Sequence, residues 1–216
     1  MSLGISIDSQ LWTPPAVLTS VEVRFPANLG LATSGLGLAS CAPDTLLEDG
    51  SGICPANSKM GTGTATVGVA FGPGTVREHV VLTLYAAPST DGYLHLAILA
   101  TGKEPVSARI VLQAVLLPGR LAISVPEIRS LPGAADVAVL SLHATLGGRL
   151  TYYERVGRRT VAYEPRGIGL PSSCPLGGWP FSASLAFADG SRSHTRDFVS
   201  CPHPARRTAR LSGTVR

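Results

Sequence analysis

This chain has almost no lysine: 2 Lys stand against 16 Arg in 216 residues. The excess of Arg reads as the codon composition of a GC-rich genome rather than as chemistry. Charged residues make up 15% of the chain, well below the quarter usual in soluble domains. There are no long helix-forming blocks of Glu, Lys and Ala, and no strand–helix–strand alternation, which argues against the parallel-sheet enzyme folds. No run approaches the roughly 18 consecutive apolar residues of a membrane-spanning helix. Met1 to Leu11 has neither a basic n-region nor a continuous apolar core, so no secretory leader is visible. Ile5 and Ile7 alternate with polar residues there and read as a strand already in the mature fold.

Recognisable catalytic and cofactor motifs are missing as well. There is no Gly-x-Ser-x-Gly elbow, and the Gly-rich stretches do not sit between a strand and a helix, so they are not phosphate cradles. The five histidines (His79, His95, His143, His194, His203) fall one to a segment. His79 and His95 are expected on neighbouring strands with Asp91 in the turn between them, and they read as surface residues; a metal there would want a third protein ligand. Asp44, Glu48 and Asp49 do not follow an EF-hand spacing and read as a solvated acidic turn. No cofactor and no metal are expected.

The net charge of +4 is carried by the end of the chain. Arg206, Arg207, Arg210 and Arg216 all lie past the last cysteine, which leaves 14 basic residues against 14 acidic ones in the body. A second basic cluster, Arg149, Arg155, Arg158, Arg159 and Arg166, is interrupted by Glu154 and Glu164. A nucleic-acid footprint needs a basic stripe on the folded surface. A basic tail on a neutral body reads as a solvated terminus, so no nucleic-acid partner is expected.

What is plentiful is turn chemistry and strand-forming residues. Gly (24) and Pro (17) punctuate runs of Val, Leu, Thr and Ala. Val17, Thr19, Val21, Val23 and Phe25 share one face of a strand whose other face is Ser20, Glu22 and Arg24. Thr62–Ala70, Val76–Ala86, Tyr93–Ala100, Val106–Leu117 and Arg120–Val125 follow, separated by Gly-Pro-Gly, Asp-Gly and Pro-Gly breaks. Ala134–Leu146 is apolar on both faces, which predicts a central strand covered on both sides. Leu150–Tyr163 reads as a polar hairpin around Val156-Gly157. Residues 43–48 are expected to form one helical turn inside the long irregular stretch from Pro26 to Met60.

Four cysteines, Cys41, Cys54, Cys174 and Cys201, allow three disulfide connectivities. The local pairing, Cys41–Cys54 with Cys174–Cys201, is the expected one, because the second pair brackets a hairpin. Phe181, Ala183, Leu185 and Phe187 alternate with smaller residues, Asp189-Gly190 supplies the turn, and the return strand ends at Val199. Spacings of 13 and 27 supply no Cys-x-x-Cys zinc knuckles. Disulfides imply an oxidising compartment.

The pattern Cys54-Pro-x-x-Ser58-Lys59-Met60-Gly61-Thr62-Gly63-Thr64-Ala65, with Cys174-Pro-Leu-Gly-Gly-Trp-Pro-Phe and Ala188-Asp189-Gly190-Ser191 before Cys201, resembles a family of uncharacterised secreted all-β proteins of high-GC Gram-positive bacteria. The likeness covers roughly residues 17 to 202. It implies export and an all-β domain, and it lends no activity, since its motifs are cysteines and turns.

The expectation is therefore an all-β fold: an antiparallel β-sandwich of about ten short strands, Greek-key-like, with two local disulfides. Residues 1–202 are expected as a single domain with a loose N-terminal strand over 1–12, and 203–216 as a disordered basic tail. The expected role is non-enzymatic, exported or at the bacterial cell surface, in structure, adhesion or interaction with a protein or glycan partner. The alternative is a carbohydrate-binding module in which Trp179, Tyr152, Tyr153 and Tyr163 stack on sugars. A hydrolase without a recognisable motif is the third reading.

Overall fold

The computed structural model describes residues 2–7, 16–31, 39–71, 74–102, 107–127, 137–146, 152–163, 168–169 and 173–201; the tail expected over 203–216 lies outside them. The strands are β1 (Ser2–Ser6), β2 (Leu18–Arg24), β3 (Gly30–Leu31), β4 (Lys59–Phe71), β5 (Gly74–Ala87), β6 (Leu94–Gly102), β7 (Arg109–Leu117) and β8 (Arg120–Ser124). They continue with β9 (Ala138–Leu146), β10 (Tyr152–Val156), β11 (Arg159–Tyr163), β12 (Ile168–Gly169), β13 (Trp179–Phe187) and β14 (Arg192–Val199). A short helix, α1 (Pro43–Glu48), is the helical turn the sequence predicts.

Ten of the strands form one antiparallel sheet in the order β1-β9-β4-β5-β6-β7-β8-β2-β13-β14. β4 to β8 follow one another in sequence and in space. β2 joins this meander beside β8 and β9 joins it beside β4, so the long-range pairings flank the local ones. The all-β antiparallel architecture, the ten strands and both disulfides are as expected. The two layers come from a single sheet that curls. Ile5 and Leu146 at one end line the same interior cavity as Leu18 and Ile123 near the other.

Alternation of small and large apolar residues fills that interior. Leu82, Leu84, Leu96, Ile98, Leu112 and Val23 belong to one buried cluster to which β2 and β4 through β8 all contribute. Each fully buried Leu or Ile of this kind stabilises the fold by roughly 2 kcal/mol through removal of apolar area from water. The filling is incomplete. An apolar cavity of about 100 Å³ bordered by Ala65, Val67 and Leu112 lies beside one of about 80 Å³. Glu78, 4% exposed, lines the first.

β9 corrects one expectation and shows why the sequence misled. Its residues are mostly half-buried and His143 is exposed, and the strand lies next to the end of the sheet rather than at its centre. Thr66 pairs with Ser141 but Val67 pairs with Val139, so Leu140 is an extra residue, a β-bulge. Val137 and Val139 face the interior before the bulge, and Leu142, Ala144 and Leu146 face it after. Apart from Ala138, which is buried on the other face, one buried face read across a frame shift looks like two apolar faces.

Cys41–Cys54 ties a lid over the outer face of β5 and β6. Leu46 of α1 is fully buried there against Tyr85, Ala97 and Leu99, which explains three apolar outward-facing positions. Cys41 N donates to Ala86 O at 2.8 Å. Arg109 Nη1 donates to Leu47 O at 3.1 Å and Glu48 O at 3.0 Å, satisfying carbonyls at the end of α1. In the chain-entropy model each disulfide contributes about 3 kcal/mol.

Candidate functional site: the terminal hairpin and its basic face

The site is built from the hairpin of β13 and β14. Its turn is held by Phe187 N donating to Ser191 O and Gly190 N to Phe187 O, both at 3.0 Å. Asp189 Oδ1 accepts from Ser191 N at 2.9 Å, and Ser191 holds the Asp189 carboxyl below its usual range. At the open end, Cys174–Cys201 closes the hairpin as expected. Gly178 turns the chain into β13 with φ of +95°, where a Cβ would lie 2.5 Å from Val199 O. The next residue, Trp179, is 4% exposed, and its indole Nε1 donates to Ser173 O at 3.4 Å. Trp179 anchors the hairpin and offers no ring to a sugar, which corrects its expected place on a ligand platform.

Strand register builds a groove on the outer face. Ser182, Ser184 and Ala186 of β13 form a floor of small side chains. On one side they pair with Arg196, His194 and Arg192 of β14, and on the other with Arg24, Glu22 and Ser20 of β2. Paired residues share a face of the sheet, so long side chains wall both edges of a short floor. Over Ser184 and Ala186, between Glu22 and Arg24 on one side and Arg192 and His194 on the other, lies an open groove with a volume of about 490 Å³. Arg120 of β8 stands opposite Arg24.

Five basic groups thus share this face with a single acid, Glu22. The Arg24 Nε bond at 2.7 Å holds the Glu22 carboxyl below its usual range, with a weaker contribution from Arg120 Nη1 at 3.5 Å. Arg192 makes no hydrogen bond or ion pair among the described residues. Arg196 Nε donates to His194 Nε2 at 3.2 Å, and His194 Nδ1 lies 3.1 Å from Ser184 Oγ. An arginine only donates, so Nε2 accepts and the ring proton sits on Nδ1, directed at Ser184. This is the reverse of a base taking a proton from a serine nucleophile.

All eight residues of β14 are exposed, and among the described residues β14 ends the sheet. Phe187 N bonding Ser191 O fixes the hydrogen-bonded pairs of the ladder at every second residue from there. Ser193, Thr195 and Asp197 therefore bond inward to β13. Arg192, His194, Arg196 and Phe198 turn their N–H and C=O groups to the open edge. Two observations agree: Pro180, which has no N–H, pairs with Phe198, and Phe198 N instead donates to Asp197 Oδ1 at 2.8 Å.

The other sequence-predicted residues lie elsewhere. Tyr152, Tyr153 and Tyr163 lie on the separate β10–β11 hairpin, where Tyr153 is 69% exposed; the Tyr152 and Tyr163 side chains lie outside what is described. His79 and His95 do not face each other. His79 Nδ1 lies 3.5 Å from Thr66 Oγ1, whereas His95 Nε2 meets Asp91 Oδ2 at 2.9 Å at the far end of β5 and β6. The His95 bond, with the Tyr93 amide and Ser89, lowers Asp91 to about 2. Asp44 and Glu48 sit on α1 and Asp49 follows it. No group of three or more His, Cys, Asp or Glu suited to a metal ion occurs among the described residues, and no described helix is long and apolar enough to cross a membrane.

The basic face escaped the sequence reading. Its signal is the alternation Arg192-x-His194-x-Arg196, which puts two guanidinium groups and an imidazole on one face once the strand is recognised. No family model, curated protein or solved structure matches the chain.

Proposed function

We propose that this chain is a non-enzymatic contact module that works outside the cytoplasm, at or beyond a bacterial cell surface, and engages a partner through its terminal hairpin. Two disulfides support the compartment, since such bonds persist in oxidising environments. The observation that carries the contact role is β14, exposed along its whole length and, among the described residues, the end of the sheet. Open edges recruit extended segments by strand addition, and the basic side chains of Arg192, His194 and Arg196 guard this one against like-charged strands while leaving it open to a strand of opposite charge.

Photo-crosslinking on intact cells tests the reading. A photoreactive residue at Thr195 of β14 is expected to yield adducts with an extracytoplasmic partner, while one at Thr160 of β11 does not. Adducts confined to cytoplasmic proteins, or equal yields from the two positions, contradict it.

A further inference from the structure

We infer that the partner segment is an acidic, extended peptide that adds to β14 as an eleventh strand of the sheet. The inference rests on the contact role of the hairpin proposed above and names the chemistry it selects. The backbone groups of Arg192, His194 and Arg196 are turned to the open edge, and these three residues carry their side chains on the basic face. An added antiparallel strand places its own residues directly opposite them, within cross-strand reach.

The complement is therefore a segment with an acid opposite Arg196 and a second acid four residues further on, opposite Arg192. Arg192 has no partner among the described residues, and Arg196 spends only its Nε on His194. The forked guanidinium ends of both suit carboxylates. An apolar residue two places before the first acid faces Phe198, which is 60% exposed.

Charge rejects the other occupants of this edge. In a second copy pairing antiparallel through β14, the registers that pair Arg192 with Arg196, or Arg196 with itself, set like charges directly opposite, which is destabilising. The chain's own sequence beyond Cys201 holds Arg206, Arg207, Arg210 and Arg216 and no acid. Arg24 and Arg120 extend the positive face behind the edge, while the single acid there is already held by them.

The test uses the intact, oxidised protein and a labelled peptide, Ac-Thr-Val-Thr-Glu-Thr-Ser-Thr-Glu-Thr-amide, at low salt. Binding is expected to weaken about tenfold when both Glu are replaced by Lys. Binding is expected to be lost when the first Glu and the Ser of the peptide are N-methylated, which removes edge hydrogen bonds without touching the protein. His194→Pro, which deletes an outward N–H and spares the β13 ladder, is expected to abolish binding. Equal affinity for the Lys peptide overturns the proposal, as does binding indifferent to N-methylation. An oligonucleotide or an alginate chain that binds more tightly than the peptide, and equally well to His194→Pro, overturns it in favour of a general polyanion surface. A dimer formed through β14 in the free protein also overturns it. Failure of the peptide alongside extracytoplasmic adducts from Thr195 removes this inference and leaves the contact role standing.

Discussion

Trp179 shows how one residue's environment reverses a functional reading. Between Gly178 and Pro180 it looks displayed; in the fold it is 4% exposed with its N–H engaged. Trp179→Ala is expected to cost about 3–5 kcal/mol, the range for deleting a large buried side chain, measured by urea unfolding. An unchanged midpoint contradicts its role as an anchor. Asp91 makes the clearest pH statement. Its folded value, about 2, lies below the ordinary aspartate value, so the ionised form is favoured in the folded state. The stability it contributes is present above about pH 4 and is lost as pH falls towards 2. Urea midpoints of the wild type are therefore expected to drop more steeply over that window than those of Asp91→Asn; parallel profiles contradict the assignment. The Asp91–Gly92 turn was legible as turn chemistry, but the partner of Asp91 was not. Spacing alone could not say that His95 folds back onto it while His79 lies at the other end of the strand pair.

Single elements were the best-read part of the sequence. The hairpin between the cysteines, α1 and the β10–β11 turn all stand where alternation and Gly or Pro signals put them. β9 was misread because a bulge at Leu140 shifts the frame of its buried face, and nothing local in Val-Ala-Val-Leu-Ser-Leu marks the extra residue. The glycines of two hairpins provide a test of how firmly each element is fixed. Gly178 combines φ of +95° with a Cβ position 2.5 Å from Val199 O, whereas Gly157 has φ of +63° and open space around it. Gly157→Ala is expected to cost about 1 kcal/mol from the left-handed backbone alone. Gly178→Ala must also displace β14 backbone, and is expected to cost at least about 2 kcal/mol and to loosen the hairpin at its disulfide end. Equal costs from thermal unfolding of the two variants contradict this placement of β14.

For the whole molecule, strand order and charge segregation lay beyond the sequence. Val17–Phe25 announces a strand, but not that it will join β8 to β13 and so carry the terminal hairpin into the main sheet. Net charge misled in the same way. The body is balanced in sequence, yet register gathers Arg24, Arg120, Arg192, His194 and Arg196 on one outer face. The curl that makes this outside also leaves an interior cavity of about 100 Å³ beside Ala65. Ala65→Val fills part of it with a residue that suits a strand, and is expected to raise stability by about 1 kcal/mol. A destabilised variant means that the interior is already full. Hydrogen exchange, read residue by residue along β14, tests the open edge most directly. In the free protein the amides of Arg192, His194 and Arg196 should exchange fast and those of Ser193, Thr195 and Asp197 slowly. Adding the acidic peptide should slow the first set and leave the second unchanged. Uniformly slow exchange along free β14, or no protection of the first set with the peptide saturating, would contradict an open edge built to receive an acidic strand.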